Sequence, residues 1–384
     1  MDFFYIFELL KSGVVFLFIL GVVVLIHELG HFIAAKLIGV KVPEFAFGFG
    51  PSLWKRQYGE TLYKWNLLPL GGYCKMLGEG DDINEEGSFS TKSPIQKIFV
   101  LVSGVLMNFI LAIIIFTTFF TLNNWSLRLE TSLTSPDYTF HGADGVVMIG
   151  SLAPGDSPAK TANVPTGVIV RKIGDVKIDN YKTFVNEVGA NFGKTLSLVV
   201  EDPNSAKQTT YMVLDNTKNE TGRAVIGVGL VYYIDYSNSK LLSGIYHSYD
   251  TVVYNILGLK QVYQRSVDDG NLQYASESTG SIVKIAQITH SLVRTDNWIG
   301  LLYWGGLISA SLSFMNLLPI PALDGGHIFI IILEAVLRRK FSENTKGKIA
   351  LGGFAFLMIL FAVLFIKDIL DLSMVKNLVK MVWK

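Results

Sequence analysis

The chain of 384 residues is 50% hydrophobic and only 17% charged, with a mean hydropathy of +0.40. This composition is too apolar for an ordinary soluble domain and is typical of a membrane protein. The net charge of +1 and the lack of a basic cluster in the sequence argue against nucleic acid as a partner, and the one cysteine, Cys74, excludes an internal disulfide and a thiolate-rich zinc site.

Four apolar segments are long enough to span a bilayer, which takes about 20 helical residues. They lie at about 14–35, 97–121, 298–318 and 350–370. The first is too long for a signal peptide and is followed by no small-residue cleavage site, so we expect it to remain as an anchor. The two loops that follow the first and third segments are rich in lysine and arginine. By the positive-inside rule both loops are cytoplasmic, and the long segment 122–297 lies outside.

The first apolar segment ends in "LIHELGHFIAAK", which contains a His-Glu-x-x-His motif. His27 and His31 are four residues apart, so on a helix they share one face and can bind one metal ion. Glu28 can take a proton from a water that the metal activates. The alternative is a structural pair of histidines, hydrogen-bonded inside a helix bundle. Ionisable groups within a membrane span are usually functional, which favours the zinc site.

Residues 126–236 contain short alternating runs separated by turn residues, which predicts a β-rich extracytoplasmic domain. The stretch "DNYKTFVNEVGANF" predicts a helix with Asn180 as its N-cap. The order of "GVVMIGSLAPGDSPAKTANV" resembles the PDZ domains of membrane-associated bacterial proteases, which bind extended peptides at a sheet edge. This resemblance implies a possible peptide ligand, and the alternative is an unrelated β-rich domain that acts as a spacer. Residues 240–268 then predict an interfacial amphipathic helix on the outer face.

The third apolar segment is followed by "NLLPIPALDGGH", in which prolines break the helix ahead of an aspartate. A catalytic zinc takes a third protein ligand, and Asp324 is the best candidate because a carboxylate at this depth must face protein or water. The nearby His327 is the other candidate. On its own, Asp324 would be interpreted as a turn residue, since Leu-Asp-Gly-Gly is a good turn sequence.

Three motifs together, "HELGHFIAAKLIGVKVPEFAFGFGP", "YKWNLLPLGGYCKMLGE" and "NLLPIPALDGGH", closely resemble the site-2 protease family of intramembrane zinc metalloproteases, in the branch of the bacterial regulator of sigma-E protease. The resemblance covers essentially the whole chain. It implies that His27, His31 and Asp324 bind one zinc ion per chain and that Glu28 is the catalytic base. It also implies that the glycine-rich segments form a membrane-dipping β-hairpin, and that Asn316 and the hairpin contact substrate. The hairpin glycines expected there are Gly48, Gly50, Gly71 and Gly72.

The predicted fold is therefore a polytopic α-helical membrane protein with four transmembrane helices, a membrane-dipping β-hairpin after the first, and one β-rich PDZ-like extracytoplasmic domain. The expected segments are the first transmembrane helix (1–36), the cytoplasmic-side loop with the hairpin (37–94), the second transmembrane helix (95–122), the PDZ-like domain (126–236), the interfacial helix (240–268), the third transmembrane helix with the Leu-Asp-Gly motif (296–337) and the fourth (349–371).

The expected function is a zinc metalloendopeptidase that cleaves membrane proteins or peptides, such as anti-sigma factors or remnant signal peptides, within the bilayer. The expected location is the bacterial inner (plasma) membrane, with the active site toward the cytoplasm and the PDZ-like domain outside. Two positions depart from the family pattern: Val105 and Ser281 stand where prolines are usual. A zinc-binding transporter or a scaffold is the alternative, but the second and fourth spans offer few polar residues for a transport path.

Overall fold

The computed structural model describes residues 3–80, 83, 85–130, 140–203, 205–213, 217–218, 224–268, 270 and 281–371. Within these residues four helices are long and apolar enough to cross a membrane: Ile6–Leu37, Pro94–Leu122, Trp298–Leu317 and Asn344–Leu370. The expected count of four spans is confirmed, and the chain is a multi-pass membrane protein.

The helices are α1 (Phe3–Leu37), α2 (Pro94–Leu122), α3 (Pro158–Thr161), α4 (Tyr181–Ala190), α5 (Ser243–Asp268), α6 (Ile282–Arg294), α7 (Trp298–Leu317), α8 (Asp324–Leu337) and α9 (Glu343–Asp371). The strands are β1 (Glu44–Tyr58), β2 (Thr61–Lys75), β3 (Ser126–Glu130), β4 (Asp144–Leu152), β5 (Val168–Ile173), β6 (Val176–Lys177), β7 (Leu196–Glu201), β8 (Gln208–Val213), β9 (Thr217–Lys218), β10 (Ala224–Val225) and β11 (Val228–Asp235). The chain divides into two compact units, residues 117–250 and the remainder.

The membrane-spanning unit is held together where small residues let helices approach closely. A side chain at Gly30 on α1 would collide with the backbone of Ser103 on α2, so only glycine allows this contact. On α7, Ser309 donates to the carbonyl of Asn108 at 2.7 Å and Ser313 donates to that of Val105 at 3.0 Å. Helices α1, α2 and α7 therefore form one packed group. Val105, which stands where a proline is usual in the family, lies inside α2, and the helix continues through this position.

The segment after α1 is more elaborate than the single hairpin expected from the sequence. Residues 44–47 of β1 pair on one side with 62–65 and on the other with 72–75, while 54–58 pair with 61–65. Both strands therefore bend back to give a small four-segment sheet, in which 44–47 run antiparallel to 72–75 and in the same direction as 62–65. The bend in β1 passes through Gly48, whose φ of +81° suits glycine. Segment 72–75 lies at one edge of this sheet.

The expected third transmembrane segment, 296–337, is broken at its prolines, as the sequence predicts, and forms two helices. Helix α7 ends at Leu317 and α8 begins at Asp324. Pro319 and Pro321 lack backbone N–H groups and disfavour helical conformation in the residues before them, which explains the break. The break places Asp324 in the first turn of α8.

The second unit contains the β-rich domain. Its sheet has the order β3-β11-β4-β5-β7-β8, with β6 paired to β5. Helix α4 begins as expected, because the Asn180 side chain accepts from the N–H of Thr183 at 2.9 Å. Phe184 and Val188 of α4 are buried in the core with the apolar residues of the central strands. Residues 131–139, part of the predicted domain, lie outside the described residues.

Two further predicted features follow this sheet along the chain, ahead of α7. The expected interfacial helix is α5, and Asn255 on it donates to Ser311 of α7 at 3.2 Å, so this half of the helix packs against a span. Ser281, at one of the positions where a proline was expected, is the N-cap of α6. Its backbone N–H donates to the buried carboxylate of Asp368 on α9 at 2.6 Å, a bond that a proline could not make.

Candidate metal centre and active site

Three of the residues expected to bind zinc come together in the membrane-spanning unit. His27 and His31 lie one turn apart on α1, and Asp324 approaches them from the start of α8. Asp324 Oδ2 is 3.1 Å from His27 Nε2 and 3.4 Å from His31 Nε2, and the two Nε2 atoms are 3.1 Å apart. Among the described residues, this is the cluster of histidine, cysteine and carboxylate side chains whose donor atoms could hold one metal ion.

The donor spacing fits a zinc ion. Ligands at about 2.0–2.2 Å around a tetrahedral ion lie about 3.3–3.6 Å from one another, close to the three separations here. Asp324 Oδ2 is also buried and accepts no hydrogen bond from the described residues. A buried carboxylate oxygen is stable when a cation lies beside it. Two imidazoles and one carboxylate leave a tetrahedral ion one open position, as in catalytic zinc sites.

Helix α2 supports both imidazoles from behind. The Nδ1–H of His31 donates to the carbonyl of Val100 at 2.9 Å, which leaves Nε2 free to bind a metal. One turn further along α2, Gly104 lies against both rings, and a Cβ at this position would be 2.8 Å from His27 Cε1. A further turn on, Asn108 lies within 3.4 Å of His27 Nδ1. Both histidines are more than nine-tenths buried, with 7% of each residue exposed.

Glu28 faces a cavity of about 580 Å³. The same cavity is lined by the three candidate ligands, by residues 73–76 at the end of β2, and by Asn316. The backbone N–H of Cys74 lies near the Glu28 carboxylate and favours its charged form. At Gly72 a Cβ would lie 3.5 Å from Glu28 Cγ and 2.7 Å from the carbonyl oxygen of Ala46, so the absence of a side chain lets this strand approach the glutamate. A carboxylate in such a cavity can act as a general base.

The expected substrate-contacting residues are only partly at the cavity. Asn316 is half-buried on α7 with Nδ2 at 3.4 Å from His27 Nε2, so it reaches the metal centre. Gly72 lies beside Glu28, while Gly48, Gly50 and Gly71 are in the bends of the sheet and do not line the cavity. These three glycines could contact substrate only if an extended substrate segment paired with the sheet.

Glu79 lies at the cavity, although no role for it follows from the sequence motifs. It lines the cavity that Glu28 faces and also a second cavity of about 200 Å³, which includes Lys97 and Lys346 at the ends of two spans. His327, considered above as a ligand, likewise lines both cavities and is not part of the ligand cluster. Burial raises the pKa of the Glu79 carboxyl. The one sequence signal for Glu79 is its position three residues after Met76, which also lines the cavity.

The second unit has a separate groove of about 490 Å³ between α4 and the start of β11. Its walls are apolar and include Phe184, Val188, Ile226 and Leu230. Strand β3 pairs with β11 over residues 231–235, which lie beyond the part of β11 that lines the groove. The groove is therefore an apolar depression beside the start of β11.

Comparison with known proteins identifies the family. The model of peptidase family M50 matches residues 15–360. A protein of Clostridium perfringens that is named as a zinc metalloprotease is 31% identical over 352 residues, covering 90% of this chain and 95% of its own. Zinc metalloprotease RasP of Oceanobacillus iheyensis is 26% identical over 446 residues, covering 94% of this chain and 99% of its own. A Campylobacter jejuni protein that is also named as a zinc metalloprotease is 29% identical over 383 residues, covering 92% of this chain and 91% of its own. The chain therefore belongs to peptidase family M50, the site-2 protease family, and is a zinc metalloprotease.

Proposed function

We propose that this metalloprotease hydrolyses peptide bonds within or next to the membrane-spanning segments of other membrane proteins, as part of regulated intramembrane proteolysis. In this proposal His27, His31 and Asp324 hold one zinc ion and Glu28 is the catalytic base. The observation that carries it is the convergence of the three donor atoms and Glu28 on one cavity among apolar helices. Anti-sigma factors and remnant signal peptides are the substrate classes proposed.

The roles of the residues follow from the chemistry of amide hydrolysis. A zinc ion held by this donor set would acidify water and polarise the scissile carbonyl. Glu28 removes the proton from the attacking water and later delivers it to the leaving nitrogen. Because the amine can leave only after it is protonated, one carboxylate that accepts and then donates a proton is sufficient. The Asn316 amide, next to His27, can hold the substrate backbone by hydrogen bonds.

A substrate helix must be unwound before it can be cut, since every carbonyl in a transmembrane helix is already hydrogen-bonded. The edge segment 72–75 offers an alternative set of partners, because the described strands leave its outer edge unpaired. An unwound segment that pairs with this edge would lie along the cavity that contains Glu28. We infer that strand addition at 72–75 presents the scissile bond to the metal centre.

The exposed apolar side chains of the small sheet are consistent with a position in the bilayer surface. Trp54 and Trp65 are cross-strand partners that are 51% and 56% exposed, and Leu53 is 66% exposed. Tryptophan is enriched at the membrane interface. We propose that this sheet dips into the cytoplasmic leaflet of the bacterial inner membrane, and that residues 126–236 lie on the opposite side. The exposed apolar residues of α5, such as Leu259 and Tyr263, would then contact lipid.

The outer domain is proposed to be PDZ-like and to limit which substrates reach the site. Its groove between α4 and β11 could hold an extended peptide, and a folded ectodomain is too large for such a groove. We infer that it admits stubs whose ectodomains another protease has already removed. Deletion of 130–235 should therefore raise cleavage of full-length substrates relative to shortened ones; an unchanged ratio would remove the support for a filter.

The decisive experiment uses purified protein in detergent, a zinc measurement and a transmembrane model peptide. Glu28→Gln should retain zinc and lose cleavage, because the ligands stay while the base is removed. Glu60→Gln is a matched control, since Glu60 pairs with Lys36 and does not line the cavity. Equal cleavage by wild type and Glu28→Gln would falsify the role of the base.

A further inference from the structure

The two candidate histidine ligands are held in different ways by α2. The partner of His31 Nδ1 is the carbonyl of Val100, which can only accept, so the proton of this ring must be on Nδ1. The partner of His27 Nδ1 is the side-chain amide of Asn108, which can either donate or accept. The tautomer of His31 is therefore set by the backbone, whereas that of His27 depends on a side chain.

Asn108 is buried beside His27, and the part of the chain that the structure describes offers its side chain no other hydrogen-bond partner. The residue is fully buried, with 0% exposed, in the middle of the second span. Its Oδ1 is buried and has no hydrogen-bond donor among the described residues, while Nδ2 is 3.4 Å from His27 Nδ1. The oxygen and nitrogen of an amide exchange places by a half-turn about χ2, and their assignment follows from the hydrogen-bond network.

A metal bound through His27 Nε2 decides that assignment. The ring must then be neutral, with its proton on Nδ1, and a ring N–H needs an acceptor. Among the described residues, the oxygen of Asn108 is the acceptor within reach of His27 Nδ1. A metal-binding histidine usually donates its other N–H to such an outer partner, which fixes both the tautomer and the orientation of the ring.

We propose that Asn108 is a positioning residue for the zinc site, whose side-chain oxygen accepts from His27 Nδ1–H and so directs the Nε2 lone pair of His27 at the metal. This rests on the proposed metal site at His27, His31 and Asp324. Together with Val100, Asn108 gives each imidazole its own acceptor from α2, two helical turns apart. A buried polar residue in this span is thereby explained by function, since polar groups are costly in such a segment.

The test measures zinc affinity of the full-length protein in detergent by competition with a chelator. Asn108→Leu has similar bulk and no acceptor, and should weaken zinc binding about 10- to 100-fold. Asn108→Asp keeps an acceptor and should retain an affinity near that of wild type. Asn108→Ala, which removes the acceptor without adding branched bulk, provides a second variant should Asn108→Leu not fold, and it should match the predicted loss.

Ser309→Ala is the matched control. It removes the hydrogen bond to the Asn108 backbone at the same α2–α7 contact and leaves the His27 contact in place, so zinc affinity should stay at the wild-type value. Wild-type affinity in Asn108→Ala, or an equal loss in Asn108→Asp, would overturn the role of Asn108. His31→Ala separates the two proposals: if it loses zinc while Asn108→Ala does not, the metal site stands and the positioning role fails. If His31→Ala retains zinc, both fail.

Discussion

A single methyl group at Gly104 should damage the metal centre from behind. In Gly104→Ala the new Cβ would be 2.8 Å from His27 Cε1 and closer still to His31 Nε2. Carbon atoms in contact lie about 3.5 Å or more apart, so the His27 ring would have to withdraw by about 0.7 Å. Metal–ligand distances tolerate changes of only about 0.2 Å. The methyl group and the zinc geometry are therefore incompatible without movement of a helix.

The cost can be estimated from overpacking of a buried contact, which is about 1–3 kcal/mol. If this free energy opposes zinc binding, the affinity for zinc falls about 5- to 150-fold, because about 1.4 kcal/mol corresponds to a factor of ten. Chelator competition and zinc per chain by mass spectrometry would measure the loss, and cleavage of a model peptide should fall in parallel.

Gly13→Ala is the matched control for this prediction. Gly13 also lies within a predicted span, but a Cβ there meets no atom within 4 Å. Its zinc content and cleavage should equal those of wild type. If Gly104→Ala also behaved as wild type, the close packing of α2 against the two imidazoles would be refuted.

Three further changes test other parts of the structure. Gly72→Ala should retain zinc and lose cleavage, because its Cβ would be 2.7 Å from the carbonyl oxygen of Ala46 and would push the edge strand out of place; unchanged cleavage would count against strand addition. Burial lowers the pKa of His247 to about 3, against about 6.5 when unfolded, so its contribution to stability is present above pH 6.5 and is lost as the pH falls. At pH 5 this amounts to about 2 kcal/mol, and hydrogen exchange in the first turns of α5 should rise in wild type but not in His247→Gln. Asp368→Leu leaves the Ser281 N–H without its acceptor at a cost of about 1–3 kcal/mol, so exchange at the start of α6 should increase; equal protection would refute the link.

The expectations that came from local pattern agree well with the structure. The four spans follow from the length of the apolar segments, and the cap at Asn180 follows from capping chemistry. His27 and His31 share a face because their spacing of four residues matches the helical repeat. These features depend on residues close together in the chain, so the sequence itself determines them.

Other features were expected only in outline. The small sheet was predicted as one hairpin, because the sequence shows where strands begin but not that residues 44–47 pair on both sides. A break at the two prolines of the third segment was expected, but the sequence did not predict that a second helix starts at Asp324 itself. Long-range strand pairing and the exact end of a helix depend on packing partners that local propensity does not specify.

Sequence alone therefore determined the membrane class, the number of spans and the residue types of the proposed metal centre. Tertiary structure decided which residues surround that centre, since contacts between α1 and α2 or α8 join positions far apart in the chain. Gly104 and Asn108 meet His27 only because the two helices pack closely, and Glu79 reaches the cavity only because its loop folds beneath it. A pattern in one helix specifies its own face, whereas the shape of the neighbouring face is specified only when both helices are folded together.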